Sequence, residues 1–192
     1  MTTLWIILGV IAVIIIWIIG IFNGLVRLRN QTKNAWSQID VQLKRRHDLI
    51  PNLIETVKGY MQHERGTLEA VTNARNVAQS ADNANPGARA AAEGQLSGAL
   101  ARLLVVVENY PNLKANTNFL ALQEELTGTE NKISFSRQYY NDSVLGYNNK
   151  IQMFPSSIIA GMGGFKEGEF FEVKAPEERE VPKVSFSAPP KS

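Results

Sequence analysis

Apolar positions follow three different rhythms along this chain. The first is a solid block: Leu4 to Phe22 reads LWIILGVIAVIIIWIIGIF, without charge or proline. As a helix it would be about 28 Å long, close to the hydrocarbon thickness of a bilayer. A helix satisfies its own backbone hydrogen bonds, so it is the form such a block takes in lipid. The pattern predicts a transmembrane anchor over residues 1–24, with Leu4, Trp5, Trp17 and Phe22 facing lipid.

The second rhythm steps by three and four. Ile39, Leu43, Ile50, Leu53, Val57, Tyr60, Leu68, Val71 and Ala78 form one drifting stripe between Leu25 and about Ala81. Asn23-Gly24 is a weak stop, so the anchor can run directly into this helix. Pro51 predicts a kink or a new start near Ile50, because proline lacks the N–H that a helix interior needs. Asp82-Asn83-Ala84-Asn85-Pro86-Gly87 predicts a loop. Beyond it, Leu96, Leu100, Leu103, Leu104 and Val107 mark a helix from about Ala88 to Asn109, closed by Tyr110-Pro111-Asn112. Asn118 is placed to cap a long helix carrying Phe119, Leu122, Leu126, Ile133, Tyr140, Val144, Tyr147, Ile151 and Phe154, which Pro155 stops. Strand-like alternation is confined to Lys183-Val184-Ser185-Phe186, too short to carry a strand. Long amphipathic helices with short joints predict an all-α fold, an antiparallel four-helix-type bundle over residues 25–155.

The third rhythm is irregular. Residues 156–174 are rich in glycine and phenylalanine, which suggests a flexible, greasy segment. Phe165, Phe170 and Phe171 either cover one end of the bundle or dock on another chain. Residues 175–192 are dominated by Pro, Glu, Lys and Ser, a composition that predicts disorder.

Charge adds topology. A cleaved signal peptide is disfavoured by the long apolar core, the uncharged Met1-Thr2-Thr3 start and the lack of an Ala-x-Ala site. Arg27, Arg29, Lys33, Lys44, Arg45 and Arg46 all follow the anchor and none precedes it. The positive-inside rule therefore puts the N-terminus outside and the bundle in the cytoplasm; the alternative is a bundle on the outer, periplasmic side. The absence of cysteine excludes lipoprotein acylation, disulfides and thiolate metal sites. A net charge of +2 is no nucleic-acid footprint.

The stretches LVRLRNQTKNAWSQIDVQLKRRHDLIPNLIETVKGYMQHE, LKANTNFLALQEELTGTENKISFSRQYYND, NNKIQMFPSSIIAGMGGF and FFEV closely resemble the LemA family of bacterial membrane proteins. That resemblance implies a single N-terminal span and a helical-bundle domain at the inner membrane. It implies no reaction.

Candidate chemistry is sparse. His47 beside Asp48 suggests a general base with an orienting carboxylate, but neighbours on a helix point about 100° apart. The sequence favours a solvated polar face over Lys44 to Asp48. His63-Glu64 has no second histidine four residues after the first, and a metal site drawing on Glu124, Glu125 or Glu130 has no spacing to support it. Asn131, Asn148, Asn149, Gln38, Gln42 and Gln123 lie near the apolar stripes, where amides fix helix register. Phosphate loops, nucleophile elbows and dinucleotide fingerprints are absent. Arg27, Arg29 and Lys33 lie near enough to the bilayer to meet anionic head groups, at about 1 kcal/mol each. Gly20 and Gly24, four apart, permit close approach of two membrane helices.

The expectation is a membrane-anchored, self-associating scaffold or adaptor without catalytic activity or cofactor. Its partners would be lipid, further copies of itself and a membrane protein yet to be identified. The alternatives are a membrane-remodelling tile, or a metal-dependent hydrolase using His47, Asp48 and His63.

Overall fold

The computed structural model describes residues 1–172; expectations for residues 173–192, including Lys183 to Phe186 and the Pro-rich tail, lie outside it. The only regular secondary structure among the described residues is helix, with no strand. Helix α1 runs unbroken from Thr2 to Lys58, 57 residues, followed by α2 (Arg65–Ser80), α3 (Pro86–Val107), the short α4 (Pro111–Lys114), α5 (Thr117–Gln152) and α6 (Ser156–Met162).

Pro51 does not break α1. Its missing N–H would have bonded the carbonyl of His47, four residues back. That carbonyl instead accepts from Nε of Arg75 on α2 at 2.8 Å. A neighbouring helix thus satisfies the orphaned acceptor, and the chain breaks later, over Gly59 to Glu64. Asn85 caps α3, its side chain accepting from Ala88 N. Asn116, not Asn118, caps α5, accepting from the backbone N–H groups of Asn118 and Phe119.

Helices α1, α2, α3 and α5 run up, down, up and down. At the end far from the anchor they enclose a core built on Ile50, Leu53, Val57, Val71, Leu96, Leu103, Phe119 and Leu126. Tyr60, expected in that stripe, is largely exposed; its hydroxyl accepts from Asn116 Nδ2, tying the α1–α2 turn to the start of α5. Lower down, α1 and α5 pair around Ile39, Leu43, Ile133, Tyr140 and Val144. Nearest the anchor, α6 completes a third cluster with Leu25, Tyr147, Ile151, Ile159 and Ala160. Residues 156–162 are therefore an ordered helix with a buried face rather than a flexible segment.

Two glycines turn the chain out of α6. A side chain on Gly163 would collide with the Phe165 ring (2.7 Å), and Gly164 takes a left-handed φ of +66°. The turn swings Phe165 back against Phe22, ring centroids 5.5 Å apart and nearly perpendicular. Residues 165–172 then run up the α1–α5 pair as a strap.

In the apolar block of α1, mean hydropathy reaches 3.1 and none of it is buried. By length and composition α3 is also apolar enough to cross a membrane, but 39% of its apolar window is buried and it packs on α2 inside the bundle.

Candidate functional site

The chemically richest region is where α1 faces α3 and α5 midway along the bundle. Arg46 lies on the α1 stripe between Leu43 and Ile50 and is 1% exposed. Its guanidinium forms ion pairs with Glu93 of α3 and Glu130 of α5, and donates to Ser97 Oγ at 2.7 Å. His47, also buried, places Nε2 3.0 Å from Glu93 Oε1. The expected solvated face therefore holds for Lys44, Arg45 and Asp48, which are exposed, but not for Arg46 and His47. The missed signal was charge at stripe positions: Arg46 three residues after Leu43, and Glu93 three before Leu96.

Burial alone would raise the Glu93 carboxyl; the His47 ring nitrogen 3.0 Å away and the Arg46 charge outweigh it and hold it below its ordinary value of 4.5. A depressed carboxyl stabilises the fold above its unfolded pKa, and that stability disappears as pH falls through the folded pKa. Acid titration of unfolding free energy should therefore decline below the ordinary carboxylate range, by up to about 1.4 kcal/mol per pH unit for one linked proton. Glu93→Gln should flatten that slope; an unchanged slope would assign it to other carboxylates.

A cleft of about 140 Å³ opens beside this centre, bordered by Ser134, Arg137 and Phe171 as well as the ion-paired groups. At about 30 Å³ per water that is room for a few solvent molecules and no more. Arg46 is committed to two carboxylates and a hydroxyl, so it offers no free anion-binding fork.

Toward the apolar block of α1 lies an aromatic node. Trp36 packs against Tyr140 (5.2 Å) and Phe171 (5.7 Å). Buried Arg89 stacks on Trp36 and pairs with Asp40 at 2.6 Å and Asp82 at 3.0 Å. The strap is clasped by amides spaced seven apart on α5. Asn148 accepts from Gly168 N (2.8 Å) and donates to Gly168 O (2.9 Å); Asn141 accepts from Phe171 N (2.9 Å). Tyr140 donates its hydroxyl to Glu169 O at 2.8 Å. Asn148 thus holds the strap rather than setting helix register, while Asn131, Asn149 and Gln38 are exposed. Asn141 was missed because its partner is the backbone of residues far along the chain.

The remaining predicted residues fall as follows. Leu4, Trp5, Trp17 and Phe22 are exposed along α1. Further along the same helix Arg27 and Lys33 are exposed, and Arg29 lies 5.0 Å over the Phe165 ring. Gly20 and Gly24 have open space where a side chain would be. Phe165 and Phe171 are buried within their own chain and Phe170 is half-buried. His63 is exposed in the turn after α1, so His47, Asp48 and His63 do not converge into a hydrolytic set. Among the described residues no group of three acidic, histidine or cysteine side chains is placed to hold a metal.

An open groove runs along α1 and α5 on the outer face. Asn23, Asn30, Asn34 and Gln38 line its lower part with Tyr139, and Val41, Lys132 and Phe135 its upper part. Phe135 is 72% exposed there.

The LemA family profile matches residues 35–186. The chain belongs to the LemA family. Among its relatives, "Magnetosome protein MamQ 2" of Paramagnetospirillum magneticum strain AMB-1 is 25% identical over 177 residues, covering 80% of this chain and 65% of the relative. "Protein LemA" of Metamycoplasma hominis is 28% identical over 142 residues, covering 74% of this chain and 64% of the relative. The chain thus spans just under two thirds of the length of these relatives. A LemA-family chain carrying an exposed helix of membrane-spanning length and apolarity is a membrane-associated protein.

Proposed function

We propose that this protein is a non-enzymatic, membrane-anchored scaffold or adaptor that assembles from several copies of itself. The single observation that carries the reading is the continuity of α1: one helix carries both the exposed apolar block and a core face of the bundle. Any load on the bundle is transmitted to the anchor without a hinge, which suits a strut better than a mobile catalytic head. The polar centre supports the same reading, since its charges are spent on one another. The positive charge after the anchor favours N-terminus outside and bundle in the cytoplasm of a bacterial cell.

Two features fit lateral assembly. Gly20 and Gly24 leave space for a second anchor helix to approach. The amide-lined α1–α5 groove carries exposed Tyr139 along its lower part and exposed Phe135 and Val41 along its upper part, where a partner bundle finds both hydrogen bonds and apolar area. Phe135→Glu is expected to reduce the particle mass of the gently detergent-extracted full-length protein by light scattering while leaving its helical content unchanged. An unchanged mass would remove this face from the assembly.

A further inference from the structure

The bundle leaves one apolar surface uncovered at the end nearest the anchor. Helix α6 buries Ser156, Ile159 and Ala160 against α1 and α5, and on its other side Ile158 (57%) and Met162 (86%) are exposed. Met153 (61%) and Phe154 (80%), in the turn that joins α5 to α6, are exposed as well. A solvated helix end has no use for four large apolar side chains in one place. Their height in the molecule gives them one. Ile21 packs on the cluster that α6 completes, Phe22 meets the Phe165 ring, and Gly163 lies against the same Phe22 ring. The exposed face of α6 therefore stands level with the last residues of the apolar block. Arg27, Lys150 and Lys166 are exposed nearby, and Glu167 is turned onto Gln152.

We propose that α6 is a second membrane contact. Met153, Phe154, Ile158 and Met162 lie in the head-group region of the bilayer that holds the anchor, so the bundle is seated on the membrane rather than tethered above it. An interfacial helix buries its apolar face about 5–10 Å into the head-group and acyl boundary, with basic side chains toward the phosphates. The occupant is lipid because this surface continues the exposed apolar block at Ile21 and Phe22. Seating would fix the angle of the bundle to the membrane plane through two contacts instead of one.

This inference rests on the anchor reading, and one experiment separates them. The chain has no cysteine, so single nitroxide labels can be placed at Ile14→Cys, Phe135→Cys and Met162→Cys in the full-length protein. The protein is reconstituted in phosphatidylethanolamine–phosphatidylglycerol vesicles, and each label is read for exposure to oxygen, enriched in lipid, and to a water-soluble nickel chelate. The expected result is lipid-like exposure at 14 and 162, with an oxygen-to-nickel ratio at 162 several-fold above that at 135. Lipid-like exposure at 14 with a water-like label at 162 overturns the inference and leaves the anchor standing. Shielding of 162 from both reagents also overturns it, because protein then covers α6. Water-like exposure at 14 removes the anchor and the inference together. Met162 projects into open space, so its label does not disturb the packing being tested.

Discussion

Replacing Arg46 by alanine is expected to cost about 3–5 kcal/mol of unfolding free energy, the range for breaking a buried ion pair from one side. The cost comes from what is left behind. Glu93 remains 4% exposed on its side chain, with its charge faced only by His47, and Ser97 and Glu130 lose their donor. Total stability of a domain is typically about 5–15 kcal/mol, so this single change would consume a large part of it. Removing both charges at once, Arg46→Met with Glu93→Met, should recover most of the loss, since the desolvation of two ions disappears together with their attraction. Glu130→Gln should cost no more than about 1 kcal/mol, because its carboxylate is 37% exposed and water screens the pair. Denaturant unfolding of the full-length protein in mild detergent, followed by circular dichroism, measures all three. A loss below about 1 kcal/mol for Arg46→Ala would mean the centre is solvated, against its burial here.

Phe171→Ala should give the next largest effect, about 3 kcal/mol or more at a fully packed aromatic position. The ring is 1% exposed, lies 5.7 Å from Trp36 and 5.6 Å from the Arg137 guanidinium, and closes the lower edge of the Arg46 cleft. The effect has a natural ceiling. Residues 165–172 form no helix and are held chiefly by Asn148, Asn141 and Tyr140, so the strap can detach before the helices separate. Limited proteolysis should therefore cut between Gly163 and Phe171 in the variant before the bundle itself is digested. Phe170→Ala, at a half-buried position, should cost about 1 kcal/mol. Loss of self-association with unchanged stability in Phe171→Ala would instead place this ring in another chain's bundle.

The sequence made the helices legible because each long element repeats its apolar residues at three and four over many turns. Ile39, Leu43, Ile50, Leu53 and Val57 on α1, and Leu126, Ile133, Tyr140, Val144 and Tyr147 on α5, are all buried. Most of the failures share a cause: long-range contact. Pro51 reads as a break until Arg75 supplies the missing hydrogen bond from another helix. Arg46 reads as part of a solvated face until Glu93 of another helix pairs with it. Phe154 continues an apolar stripe yet is 80% exposed, since α5 ends at Gln152 and the chain turns away into α6. Ser156 to Met162 reads as flexible because three glycines follow Ala160, but Ile159 and Ala160 have a core to enter.

The most direct test of the central claim is the mass of the full-length protein, gently extracted in detergent, by light scattering or particle imaging. A defined assembly of several 21.3 kDa chains is the result this account predicts. A strictly monomeric particle that captures no partner from its membrane would contradict the scaffold reading.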